Sequence, residues 1–138
     1  MTGSTPGYVQ TLALLPASAA IARRSVRTTL ACWGLEDLTA DAELIASELV
    51  TNAVQHARPI GATPEDPGRC RLTLERPSPG VVWLTVSDPS RRRPGHRVAT
   101  ADDESGRGLA VVGATAHRFM MQRARDGKAA WVELKADR

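Results

Sequence analysis

Aromatic side chains are scarce in this chain: they make up 4% of it, with three Trp, one Tyr and one Phe. A core must therefore come from Leu, Val, Ile and Ala, and no aromatic residue is interleaved with the densest cationic run, Arg91-Arg92-Arg93. Without stacking partners or an adjoining reading helix, that run reads as a solvated loop, and direct nucleic-acid binding is disfavoured. Cysteine is nearly absent. Cys32 and Cys70 lie far apart with no CxxC, which excludes a disulfide framework and fits reduced thiols packed as small core residues in a cytosolic protein. The three histidines, His56, His96 and His117, fall on separate elements without ligand spacing, so no zinc site is expected. Long apolar runs are missing too. The most apolar N-terminal segment, Thr11 to Ala22, is interrupted by Pro16 and has no Lys or Arg ahead of it, which argues against a signal peptide and a membrane span.

What is present is the composition of a soluble globular domain, 42% hydrophobic and 24% charged over 138 residues, with a formal net charge of +3 carried mainly by arginine. That length suits one domain with a real core and is too short for two. Its most informative stretch is Glu43 to Ala57, ELIASELVTNAVQHA, where Leu44, Ile45, Leu49, Val50, Ala53 and Val54 recur at helical spacing. Thr39 is the expected N-cap, and Asp41 and Glu43 lie where the helix dipole favours negative charge. Beside the stripe, Glu48, Asn52 and His56 follow one another at four-residue steps and share one side of the helix. A carboxylate and a carboxamide oxygen one turn apart suit a magnesium phosphate site, the carboxylate as base and the amide oxygen as ligand of a hard cation. An ordinary polar edge of a half-buried helix would look the same, so the trio is informative only together with later residues.

In order along the chain, Met1 to Gly7 reads as a loose terminus, Tyr8 to Leu15 as a strand ended by Pro16, and Ala17 to Trp33 as a helix. That helix carries Ala19, Ala22, Val26, Leu30 and Trp33 inward and Arg23, Arg24 and Arg27 outward, with Gly34 as its stop. The second helix ends near Arg58-Pro59, before a turn-rich loop. Cys70 to Arg76 and Val81 to Asp88 alternate as a strand pair around Pro77 to Gly80, and by parity Val82, Leu84, Val86 and Asp88 share the core face. A carboxylate on that face needs a partner. Pro89 to Ser105 has no periodicity and reads as a long functional loop. Leu109 to Ala116 reads as a short helix, then Arg118 to Arg123 and Ala129 to Leu134 as strands joined around Asp126-Gly127. The order β, α, α, β, β, loop, α, β, β predicts an α+β fold: a two-layer sandwich with helices on one face of a mostly antiparallel sheet.

Taken in order, the ExxxN of Glu48 and Asn52, the strand-ending Asp88 and the Gly106-Arg107-Gly108-Leu109 box resemble the N, G1 and G2 boxes of the GHKL (HATPase_c) ATPase superfamily. The closest likeness is to its anti-sigma-factor serine kinases, in the small single-domain form of actinomycetes, over nearly the whole chain. The resemblance implies the Bergerat ATP-binding fold across residues 1–138, with residues 89–105 as an ATP lid. It implies ATP and magnesium as cofactors, Glu48 as general base, Asn52 as magnesium ligand and Asp88 as acceptor for the adenine amine. Gly106 and Gly108 would admit the phosphates to the helix opening at Leu109, with Arg107 between them facing a phosphate or water. The implied activity is phosphorylation of a serine on an anti-sigma-factor antagonist, with a sigma factor as a second partner and room for a homodimer. One departure stands out. Where the family continues DxGxG, this chain continues Asp88-Pro89-Ser90-Arg91-Arg92-Arg93-Pro94 before Gly95, a stiffer backbone beside the base. That departure keeps a second reading open, a non-catalytic ATP-dependent module that switches partners.

Overall fold

The central helix sets the layers. In the computed structural model, which describes residues 5–88, 104–124 and 127–136, α2 spans Thr39–His56 and buries Ala42, Ile45, Ala46, Leu49, Val50, Ala53 and Val54. Leu44, expected in this stripe, is 40% exposed and lies at its margin. Thr39 is not the N-cap. A 3₁₀ turn, Glu36–Leu38, runs straight into α2, so the capping position falls on Leu38, which makes no side-chain cap bond. Leu38 is buried, and apolar anchoring of the entry takes the place of a polar cap. Of the two acids expected at this end, only Asp41 lies in the first turn.

Helix α1, Ser18–Cys32, buries Ala22, Val26 and Leu30 against α2, with Ala19 and Trp33 packed at the edge of the core. Gly34 stops it as expected: its φ of 70° permits the left-handed turn in which Gly34 N–H donates to Ala31 and Leu35 N–H to Leu30. On the outer side Arg27 forms a two-point pair with Glu43 at 2.9 and 3.1 Å, and Arg23 donates to Ser47 Oγ at 2.9 Å. The hydrogen bond from Arg27 holds the Glu43 carboxyl below the usual range. Because Arg27 is largely exposed, this pair adds register more than stability.

The strands are β1 (Gly7–Ala13), β2 (Arg69–Ser78), β3 (Val81–Asp88), β4 (Arg118–Ala124) and β5 (Gly127–Lys135). They form one sheet in the order β1-β2-β3-β5-β4, antiparallel at every pairing. Parity holds across it: Cys70, Leu72 and Leu74, then Val82, Leu84 and Val86, then Ala130, Val132 and Leu134 are buried toward the helices. This is the α+β two-layer sandwich expected from the element order. The opposite face carries Trp83 and Trp131, ring centroids 5.8 Å apart, with Arg118 over Trp131 and Trp83 Nε1 donating to Glu133. Two hairpins differ in detail from the sequence reading. β2 continues past Pro77 through an irregularity to pair Ser78 with Val81, and Ala124 pairs with Gly127, so Gly127 belongs to β5 and not to the turn.

Helix α3 spans Glu104–Thr115, starting five residues before the expected Leu109. Val112 is fully buried and Leu109 packs against the core. The remainder of the expected loop, residues 89–103, lies outside the described residues.

The two thiols differ sharply. Cys32 is exposed, whereas burial first and the Asp88 carboxylate second push Cys70 up from 9.0 to about 11. At about pH 8 an alkylating agent should modify Cys32 in the folded protein and reach Cys70 only after unfolding, as peptide mass mapping would show. Between 9.0 and about 11 the folded state keeps a proton on Cys70 that the unfolded chain has lost. Stability should therefore fall as pH rises through that window, by roughly 1.4 kcal/mol per pH unit, which denaturant titration at stepped pH would measure.

Candidate nucleotide site

Three elements carry the candidate residues. α2 carries Glu48 and Asn52 one turn apart, both half-buried, on the edge beside its apolar stripe. The end of α2 is tied to the sheet: Arg58 Nε donates to the Leu14 carbonyl at 3.2 Å, just beyond β1. From there the register runs across. Leu12 faces Cys70, and extending the pairing of Arg71 with Ser87 by one residue sets Cys70 opposite Asp88. Asp88 is half-buried on the core side at the end of β3, as its parity predicts, close enough to Cys70 to act on its thiol. The C-terminal part of α2 and the Asp88 carboxylate therefore share an end of the fold.

The third element is α3, which packs on α2. Glu48 stands directly against Gly108: a Cβ placed there would lie 2.6 Å from Glu48 Oε2 and 3.6 Å from its Cδ. Both glycines of the Gly106-Arg107-Gly108 box lie within the helix, contrary to the expected loop entering at Leu109. Within α3 the N–H groups without an intrahelical partner are those of its first three residues, Glu104 to Gly106, while the N–H of Gly108, the fifth residue, falls to the carbonyl of Glu104. The side chain of Arg107 lies outside the described residues. His56, at the last turn of α2, is half-buried, as a helix residue at that edge would be.

Residues 12–135 match the histidine kinase-like ATPase domain. The chain belongs to that family. Its structure also resembles the RsbU and RsbW domains of Rv1364c from Mycobacterium tuberculosis, with a TM-score of 0.67 and 23% identity, covering 95% of this chain and 32% of that one. The chain therefore spans about a third of that protein's solved length, and the likeness is one of fold. No individually curated protein matches it. The GHKL resemblance read from the three boxes agrees with the family and with the architecture.

Membership of the ATPase family implies ATP binding, and the residues present suit that ligand. Asp88 offers an acceptor at a half-buried strand end, where an exocyclic amine could be read. The start of α3 offers N–H groups and a positive dipole end to an anion. For a metal the donor set is thin but of the right kind. Among the described residues no three His, Cys, Asp or Glu side chains gather around a common point. A magnesium ion held mainly by phosphates and water needs only one or two hard oxygens from protein, such as the amide oxygen of Asn52.

Two neighbours of the site were missed in the sequence. Lys128 on β5 is paired opposite Asp88 in register, and by parity with Ala130 and Val132 it shares the core face. The alternation Lys128, Ala130, Val132, Leu134 carries that signal, one residue ahead of the expected strand start at Ala129. Composition and parity alone make Cys70 core packing, and adding the β2–β3 register sets it opposite Asp88. Among the described residues no helix is long and apolar enough to cross a membrane.

Proposed function

We propose that this protein is an ATP- and magnesium-dependent serine/threonine protein kinase of the anti-sigma regulatory type, working in the cytoplasm. The observation that carries the reading is the joint presence of Glu48 and Asn52, one turn apart on α2, with Glu48 set against Gly108 of α3. A module that only binds nucleotide has no use for a carboxylate held there, whereas phosphoryl transfer to a hydroxyl needs a base beside the phosphate end of the nucleotide.

In this reading Asp88 accepts the adenine amine, Asn52 holds magnesium, Gly106 and the N–H groups at the start of α3 receive the phosphates, and Arg107 adds a charge-assisted contact to them. Leu109 anchors α3 to the core behind the box. Magnesium, when bound, neutralises charge on the transferring phosphoryl group. Glu48 then accepts the proton of the attacking serine hydroxyl as its Oγ bonds to the γ-phosphorus, the bond from that phosphorus to the β–γ bridging oxygen breaks, and ADP leaves. The substrate is a serine on a small anti-sigma-factor antagonist, and a sigma factor is the second partner. The lid of this reading is residues 89–105, of which 104 and 105 open α3, and the proposed acting unit is a homodimer.

A second reading is a non-catalytic, ATP-dependent partner switch, favoured by the missing glycines after Asp88. Incubating the protein with γ-labelled ATP, magnesium and a candidate antagonist separates the two. Label on an antagonist serine supports the kinase, and ATP-dependent complex formation without label supports the switch.

A further inference from the structure

Gly108 is a glycine in a place where glycine is disfavoured. It is the fifth residue of α3, and a helix-interior glycine costs about 1 kcal/mol relative to alanine. Backbone conformation does not call for it, since among the described residues the glycines with positive φ are Gly34, Gly61, Gly68 and Gly127. Nor does its N–H stand free to hold an anion, because at that position it belongs to the carbonyl of Glu104. What remains is space. A Cβ on residue 108 would stand 2.6 Å from Glu48 Oε2, well inside the roughly 3.5 Å at which non-bonded heavy atoms settle.

From this geometry we infer that Gly108 is a positioning residue for the Glu48 carboxylate: its missing side chain leaves the place in which the base rests between α2 and α3. Separating the two helices to accept a larger residue would cost core packing. Leu49, next to Glu48, is 2% exposed, and Val112, one turn beyond Gly108, is fully buried, so each backbone is fixed by the core on its own side. The part free to give is the far end of the Glu48 side chain, whose carboxylate turns on rotatable bonds at small energetic cost. An alanine at 108 would therefore leave the fold intact and move the base. This rests on the proposed role of Glu48 as base, and it reassigns Gly108 from holding phosphate to placing a carboxylate.

The two roles separate in a comparison of Gly108→Ala with wild type. For a positioning role, affinity for magnesium-ATP should stay within about twofold while transfer to the antagonist falls on the order of 10²-fold or more, the scale of a displaced acid or base. In a Glu48→Asp background, where the carboxylate is retracted, adding Gly108→Ala should cost no further rate. A loss of nucleotide affinity that accounts for the whole loss of rate would overturn the inference, as would an unchanged rate or full additivity with Glu48→Asp. Crystal structures of wild type and Gly108→Ala provide a readout independent of activity. A displaced Glu48 carboxylate over a superimposable α3 supports the inference even if wild type transfers no label, in which case the kinase reading alone fails. An unmoved carboxylate, or a shifted α3, overturns it.

Discussion

Asp88→Asn should remove most measurable ATP binding. The residue is half-buried on the helix side of the sheet at the last position of β3. Its carboxylate there is an acceptor at both oxygens. The asparagine is nearly the same size, so the fold should survive, but it replaces one acceptor with an NH₂ group that meets the adenine amine donor to donor. A hydrogen bond to a charged acceptor contributes about 1.5 to 3 kcal/mol, which corresponds to roughly a 10- to 150-fold loss of affinity. Loss of the charge also removes one of the two causes that raise the Cys70 pKa, so that thiol should titrate lower in the variant. Isothermal calorimetry with magnesium-ATP decides the first point, and ultraviolet titration of thiolate absorbance in the two folded proteins the second. Equal ATP affinity in the two proteins would rule out Asp88 as the base-reading residue. The thiol shift, which needs no nucleotide, would still report whether Asp88 stands where the register places it.

Much of the fold was legible because burial here follows simple periods. Alternation in β2 and β3 gave the core faces and the parity of Asp88, and helical spacing gave the buried stripes of α1 and α2. The readings that failed were those in which a tertiary contact overrides a local preference. Two glycines in three residues signal a break, yet α3 runs through both, and at Gly108 the reason is Glu48, some 60 positions away in the chain (from 48 to 108). Thr39 has the chemistry of an N-cap, but the buried Leu38 and the 3₁₀ turn before it already direct the chain into α2. Asp126-Gly127 is a strong hairpin signal, and β4 and β5 do pair antiparallel there, but Gly127 is already paired with Ala124 as the first residue of β5. The candidate site was legible as a set of motifs and not as an arrangement. No local pattern says that Lys128 pairs opposite Asp88, or that Glu48 rests on the G2 box, because both follow from which strands and helices become neighbours.

Glu48→Gln and Asn52→Ala should fail in different ways, and the difference tests the division of labour along α2. The two residues lie one turn apart on the half-buried edge of a helix whose neighbouring apolar stripe is engaged in the core, and both substitutions leave the side chains of Ile45, Leu49 and Val50 unchanged. Glutamine keeps the size and polarity of Glu48 and removes only its ability to take a proton. Affinity for magnesium-ATP should barely change, while transfer to the antagonist serine falls by roughly 10² to 10⁴, the contribution of a positioned general base. Asn52→Ala removes a hard oxygen from the metal. The triphosphate then loses charge neutralisation both at rest and in transfer, so magnesium-ATP binding and turnover should weaken together, and raised magnesium should restore part of both. Single-turnover transfer of labelled phosphate, measured beside equilibrium binding, separates the two patterns. If Glu48→Gln transfers as fast as wild type, the base is another residue. If wild type binds ATP and the antagonist and transfers nothing, the kinase reading fails and the partner switch replaces it. Should Asn52→Ala lose rate without losing magnesium-dependent affinity, the metal is held elsewhere and the amide serves only to orient the phosphates.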